Sequence, residues 1–343
     1  MNREHTAITQ LTELQKELLS VIQSGFPVSQ RPYGELAEKL GITENEAYAS
    51  IDELRKGGVI RRLGAIFDSY KLGYRSTLCA IAVPNEQVEE VAAHISSYPN
   101  VTHNYLRENR YNVWFTLIAP SEQRIEEILA EIAESTSIDD ILNLPAIRLF
   151  KIRVDFDFTG KRSVREEKLP VLKPALSAAI KATEEEKALV RLLQADLPAG
   201  LTPYKELAQK LTEQGFSCDE AWVLKTTETW VNERVIRRLG AAIKHHKTGF
   251  TCNAMGTWTV PEEKLDELGP IMASFKEVSH CYQRPSTPTW TANTYTMIHG
   301  KSKDECEAVA QRIQEATGLD APVLLYSTKE FKKTSMSYFA EEL

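Results

Sequence analysis

Residues Val101 to Arg107 read Val-Thr-His-Asn-Tyr-Leu-Arg, and 177 positions later Val278 to Arg284 read Val-Ser-His-Cys-Tyr-Gln-Arg. Alternate side chains of an extended strand share a face. His103, Tyr105 and Arg107 therefore fall on one surface, and so do His280, Tyr282 and Arg284. Such a surface suits an anionic ligand that carries a metal. The imidazole ligates iron or moves a proton, the phenol donates a hydrogen bond, and the guanidinium grips a carboxylate. A single copy would read equally well as a half-buried strand with solvated polar residues. Its recurrence gives weight to the ligand-binding reading.

Working outward, the flanks repeat in the same order. Pro32-Tyr33-Gly34-Glu35-Leu36-Ala37 returns as Pro203-Tyr204-Lys205-Glu206-Leu207-Ala208, and Val59-Ile60-Arg61-Arg62-Leu63-Gly64-Ala65 as Val235-Ile236-Arg237-Arg238-Leu239-Gly240-Ala241. Three ordered matches define two units of about 170 residues. Each unit opens with helices. Leu11, Leu14, Leu18, Leu19 and Ile22 fall at helical spacing, a second helix runs over Gly34 to Leu40, and Thr43 and Glu46 form a capping box for a third that ends near Lys56. The second copy has Ala188, Leu189, Leu192 and Leu193, a helix starting at Thr202-Pro203, and a third capped by Ser217 and Glu220. Three small helices with a tight turn between the last two make a helix-turn-helix unit.

Each unit then changes period. An apolar strand starts at Ala65 to Phe67 and resumes from Ser76 to Val83. Val88, Val91, Ala92 and Ile95 mark a helix, and the histidine strand pairs with Tyr111 to Ile118. Ile125, Ile128, Leu129 and Ile132 make another helix, and Ala146 to Phe156 a last strand. The order is βαββαβ, repeated in unit 2 from Asn253 to Lys332. The expected class is α+β: two tandem helix-turn-helix domains (residues 1–62 and 184–238), each followed by a ferredoxin-like domain (63–158 and 239–343), with a charged, proline-containing linker at 159–183.

Composition narrows the function. The 343 residues are 42% hydrophobic and carry a net charge of −7, so any nucleic-acid contact needs a locally basic element. No apolar run approaches the roughly 18 residues of a membrane span. No signal pattern opens the chain, and a cytoplasmic location without membrane partners is expected. Five scattered cysteines without a Cys-x-x-Cys pair argue against a disulfide framework, structural zinc or an iron–sulfur cluster.

A helix-turn-helix followed by βαββαβ resembles the Lrp/AsnC family of transcription regulators, with Gly58 to Ala65 similar to that family's interdomain hinge. The resemblance extends further. Thr102 to Arg107 with Tyr111-Asn112-Val113-Trp114-Phe115 is similar to one subunit type of the siroheme decarboxylases. Ser279 to Pro285 with Thr296-Met297-Ile298-His299-Gly300 is similar to the other. This chain looks like both partners fused, and the similarity covers nearly its full length. The resemblance implies loss of carbon dioxide from the C12 and C18 acetates of siroheme, giving 12,18-didecarboxysiroheme for the haem or haem d1 route. It also implies a pseudo-dimer within one chain, with further self-association left open. No cofactor is implied, because the iron belongs to the substrate.

On that resemblance, Arg61, Arg62, Arg107, Arg237, Arg238 and Arg284 are candidate carboxylate clamps, set against salt bridging or plain solvation. His103 or His280 would donate a proton, with Tyr105 or Tyr282 assisting, and one histidine could instead ligate the siroheme iron. Tyr111, Trp114, Trp290 and Tyr295 could form ring-stacking walls or ordinary core. His245 and His246, in a cationic Lys244 to Lys247 cluster, favour unit 2 as the productive side. Cys281 reads as a packed neutral thiol, and His5, His94 and His299 have no evident companions. The competing functions are a DNA-binding regulator of Lrp/AsnC type and a tetrapyrrole-binding sensor without catalysis. Against the regulator, each third helix carries two more acidic than basic residues.

Overall fold

A computed structural model describes residues 11–152, 171, 178–243 and 252–340. Each unit begins with three helices: α1 (Glu13–Ile22), α2 (Pro32–Leu40) and α3 (Glu44–Lys56), then α6 (Glu184–Leu193), α7 (Pro203–Glu213) and α8 (Glu220–Asn232) after six strands and two further helices. Thr12, Thr43 and Thr183 head capping boxes, and Pro32 and Pro203 occupy first turns, where no amide is lost to the helix. The cap of α8 is Asp219, whose side chain accepts from the Trp222 amide, rather than the expected Ser217.

The two helical domains share one apolar core with a two-stranded ribbon made of β1 (Ile60–Phe67) and β7 (Ile236–Ile243). The ribbon crosses between units. The Leu197 amide donates to Leu63 and the Phe26 amide to Leu239, so each strand is flanked by the other unit's helical domain. Gly64 and Gly240 make this possible. A Cβ at Gly64 would collide with the Ala195 carbonyl, and one at Gly240 with the Ile22 carbonyl. The first apolar strand is thus not continuous with the sheet that follows. After Phe67 the Asp68 carboxylate accepts from the amides of Tyr70 and Lys71, and Gly73 adopts φ +86°. That turn redirects the chain.

The remaining strands are β2 (Arg75–Ile81), β3 (Val101–Arg107), β4 (Val113–Ala119), β5 (Ile141–Pro145), β6 (Arg148–Ile152), β8 (Cys252–Trp258), β9 (Val278–Gln283), β10 (Thr294–Gly300) and β11 (Val323–Lys333). They form one nine-stranded sheet in the order β5-β2-β4-β3-β11-β8-β10-β9-β6. The expected last strand of unit 1 starts earlier and is broken at residues 146–147. Its first half, β5, pairs with β2, and its second half, β6, pairs with β9 of unit 2. β11 does the same unbroken, pairing first with β8 and then with β3. Because β5 and β6 are consecutive in the chain yet lie at opposite ends of the sheet, the sheet closes on itself.

Helices α4 (Val88–Ser97) and α5 (Glu122–Thr136) cover the outside of unit 1, and α9 (Leu265–Ser274) and α10 (Lys303–Thr317) that of unit 2. Part of the inner face is packed by residues of both units, including Trp114, Leu144, Met255, Tyr295 and Leu325. Among the described residues no helix is long and apolar enough to cross a membrane.

Candidate functional site

Strand alternation decides which side chains reach the inside of the closed sheet. Asn104 donates to the Ala92 carbonyl of α4, and the Cys281 thiol lies 3.9 Å from the Gly269 carbonyl of α9, so both face the helices. Their neighbours His103, Tyr105 and Arg107, and His280, Tyr282 and Arg284, therefore face inward. Cys281 is fully buried and its thiol is pushed up to about 12, which keeps it neutral. The two imidazoles lie near enough for the charge of His103 to act on His280. His103, His280 and Tyr282 retain accessible surface, yet burial dominates their titration. These side chains therefore sit at a largely buried surface on the inside of the sheet.

The histidine strands share a further feature. Pairing with the neighbouring strand slips between Val101 and His103, and again between Met297 and Ile298, leaving Thr102 and Ser279 as the extra residues of two bulges. A bulge re-aims its side chain. Thr102 Oγ1 sits 3.0 Å from His103 Nδ1, and Ser279 Oγ 2.8 Å from His280 Nδ1. Each hydroxyl holds one ring nitrogen and leaves Nε2 as the free one. Ser279 Oγ also lies 2.7 Å from His299 Nε2.

Electrostatics make both rings neutral near pH 7. Burial, then Lys333 and Arg61, lower His103 from 6.5 to about 4. Burial, then His299, His103, Arg237 and Arg284, lower His280 to about 4. The Tyr105 phenol is raised by burial and by its hydrogen bond to Glu330. Tyr282 is also raised by burial, but Arg284 and Arg237 oppose the rise.

The expected site residues separate into groups. Arg284 lies over the Tyr282 ring at 4.7 Å and donates to the Leu144 carbonyl at 2.5 Å; Arg107 lies over Tyr105 at 5.6 Å and donates to the Leu325 carbonyl at 2.5 Å. Each guanidinium thus reaches the other unit's strand, and each keeps a buried Nε without a protein partner. Arg61 and Arg237 act on His103 and His280 respectively, and Arg237 pairs with Asp68 of unit 1 at 2.8 Å. Arg62 instead donates to the Gln194 carbonyl of the unit 2 helical domain, with Arg238 close enough to act on its charge. That pair lies away from the histidines. Tyr111 and Trp114 are buried in the packed part of the lumen: the Tyr111 hydroxyl donates to Asp140 at 2.7 Å, and Trp114 Nε1 to the Tyr111 carbonyl at 2.7 Å. His245, His246 and the rest of their cluster lie outside the described residues, as do His5 and most of the expected linker.

Sequence reading missed Ser279, His299, Asp68, Tyr70, Glu330 and Lys333. Tyr70 of unit 1 stands close enough to Arg284 and Tyr282 of unit 2 for their charges to act on its phenol. Apart from Ser279, which adjoins His280 in β9, each of these neighbours arrives from another strand or from the other unit, so no local spacing announces it.

Comparison with known proteins identifies what this arrangement resembles. A siroheme decarboxylase NirDL-like helix-turn-helix domain matches residues 15–61 and 186–237, and an AsnC-like ligand-binding domain matches 71–151 and 247–332. The siroheme decarboxylase of Hydrogenobacter thermophilus is 36% identical over 330 residues, 95% of either chain. Separate subunits match about half of the chain each. The siroheme decarboxylase alpha subunit of Nitratidesulfovibrio vulgaris is 55% identical over 141 residues, covering 41% of this chain and 80% of the subunit. The beta subunit of Desulfovibrio desulfuricans is 44% identical over 156 residues, covering 45% and 95%. The crystal structure of siroheme decarboxylase NirDL in complex with an iron-uroporphyrin III analogue superimposes with a TM-score of 0.75 at 33% identity, over 96% of both chains.

Proposed function

This chain belongs to the siroheme decarboxylase family, and on that premise we propose that it acts as a carboxy-lyase on siroheme, removing carbon dioxide from the C12 and C18 acetates to give 12,18-didecarboxysiroheme. The observation that carries the reading is that two imidazole–phenol–guanidinium sets face inward, near enough for His103 to act on His280. An acidic iron tetrapyrrole needs cations for its carboxylates and ring nitrogens near its plane. The orphaned Nε donors of Arg107 and Arg284 supply directed hydrogen bonds, and Arg61 and Arg237 add positive charge at the histidines.

Losing carbon dioxide from an acetate arm leaves an electron pair on the methylene carbon. The pyrrole takes up that density if a ring carbon is first protonated; a second proton completes the methyl group, and the ring carbon gives its proton back, so one proton is consumed per acetate. His280 donates it through Nε2, with Tyr282 assisting, and a placed general acid contributes ~10²–10⁴-fold. The axial position on the substrate iron falls to His103, which is neutral and therefore carries a free lone pair. The iron arrives with the substrate, and the chain needs no cofactor of its own.

The helical domains serve as frame. Arg55 of α3, one of that helix's two cations, is bound to Asp196 at 2.6 Å and to the Leu197 carbonyl at 2.8 Å, so it is committed to the other helical domain rather than to phosphates. No specific nucleic acid is expected as a partner. The test is product mass after anaerobic incubation with reduced siroheme. Loss of two carbon dioxide units is expected, whereas pigment bound at unchanged mass would make the protein a tetrapyrrole sensor.

A further inference from the structure

The reaction has a proton requirement that one imidazole does not meet. Each acetate that leaves as carbon dioxide is replaced by hydrogen: the carboxylate plus one proton gives the methyl group and carbon dioxide. Two turnovers of chemistry on one macrocycle take up two protons. A neutral His280 that gives up its Nε2 proton in a water-poor recess is left as an imidazolate unless Nδ1 is reprotonated in the same event.

Nδ1 of His280 is bonded to Ser279 Oγ at 2.8 Å, and the same oxygen is bonded to His299 Nε2 at 2.7 Å. The hydroxyl has one hydrogen. Its third contact, to the Met297 carbonyl, is long at 3.5 Å; when the hydrogen goes to one imidazole, the other donates to the serine oxygen and the two rings hold complementary tautomers. When His299 Nε2–H donates to Ser279, the serine hydroxyl donates to His280 Nδ1, and His280 carries its proton on Nε2, facing the recess. That is the donor-ready arrangement. When His280 loses this proton, the serine proton moves to Nδ1 and the His299 proton to the serine. A proton taken up from solvent at His299 Nδ1 then restores charge balance. His299 is half-exposed, at the end of β10.

Unit 1 lacks the far end of this chain. The strand register sets Thr116 opposite His103 and Met297 opposite His280, so the position corresponding to His299 is Ile118. Thr102 holds His103 Nδ1 at 3.0 Å, but an apolar side chain stands where the second imidazole would be.

We propose that Ser279 and His299 are positioning and proton-supplying residues that keep His280 neutral as it donates from Nε2, and that this relay makes unit 2 the proton-donating half of the enzyme. The proposal rests on the siroheme decarboxylase reading above. Among the described residues, the groups whose charges act on the relay are His103 of β3, Arg237 of β7, Arg284 beyond β9 and Lys333 of β11, and none of them is a carboxylate that would hold its proton in the empty state.

The experiment compares wild type, Ser279→Ala, Ser279→Thr and His299→Gln in anaerobic turnover of siroheme, following mono- and didecarboxylated products across pH, with siroheme affinity read from the Soret band. A glutamine at 299 retains a hydrogen-bonding amide but does not titrate. Ser279→Ala and His299→Gln are expected to lower kcat by ten- to a hundredfold with KM changed less than about twofold. Ser279→Thr, which installs the hydroxyl of Thr102, is expected to recover most of what the alanine loses. In His299→Gln the fall in rate with rising pH is expected to shift or flatten. Wild-type kcat and pH profile in His299→Gln would overturn the proposal, and so would a Ser279→Thr as slow as Ser279→Ala, or a loss confined to KM. Failure of the wild type itself to decarboxylate siroheme would sink the underlying reading instead, and the two failures are thus told apart.

Discussion

Unit 1 and unit 2 carry the same imidazole, phenol and guanidinium on the same strand face, but their surroundings differ. His103 is bordered by Lys333 and Arg61, and Tyr105 is tied to Glu330. His280 is bordered by His299 and Arg237, and the turn of unit 1 brings Asp68 and Tyr70 to the unit 2 face. The crossing strands explain why. β11 of unit 2 runs beside β3, and β6 of unit 1 runs beside β9, so a residue that changes in one unit alters the site in the other. A duplicated chain can therefore keep its triad twice and still assign two different roles.

The largest effect expected concerns what the two units hold in common. Gly64→Ala and Gly240→Ala each push a Cβ into a backbone carbonyl of the opposite helical domain, which cannot swing aside, and each should cost about 3 kcal/mol in urea unfolding. Clearly unequal losses would mean that the ribbon is not the symmetric frame described here. Next, His280→Ala should slow siroheme turnover on the order of 10²-fold and His103→Ala roughly tenfold. Equal residual rates would erase the functional asymmetry.

Arg107→Met and Arg284→Met should each weaken siroheme binding and cost about 1–3 kcal/mol, because the Leu325 or Leu144 carbonyl loses its buried donor. Denaturation with and without substrate separates the two contributions, and unchanged binding would remove these guanidinia from the carboxylate clamp. The smallest effect lies in acid. Both histidines titrate near 6.5 when unfolded and at about 4 when folded, so the unfolded chain binds more protons between those values. Their stabilisation is complete above pH 6.5 and is lost as pH falls toward 4. After discounting for water in the recess it amounts to on the order of 1 kcal/mol. His103→Gln should show a shallower fall in Tm over that window than wild type.

Much of this was legible in one dimension. The repeated motifs defined two units, helical spacing and capping residues located the helix-turn-helix domains, and alternation put each histidine beside its tyrosine and arginine. What periodicity reports is a face, and it is silent on which strand that face meets. Ala65 to Phe67 reads as the start of a sheet strand, whereas β1 pairs with β7 in a separate ribbon. Ala146 to Phe156 reads as one strand, whereas the crossing at residues 146–147 divides it between two partners. Arg61 and Arg62 read alike, yet one acts on His103 and the other on Gln194. His299 looked isolated because its companion is reached across a bulge, and a bulge leaves no trace in spacing.

The most direct measurement is mass spectrometry of the tetrapyrrole after a single anaerobic turnover of siroheme by wild type, His103→Ala and His280→Ala. The account requires wild type to yield didecarboxysiroheme and His280→Ala to stall with bound, unconverted or half-converted pigment while His103→Ala still completes both losses slowly. Full conversion by His280→Ala at the wild-type rate would contradict it.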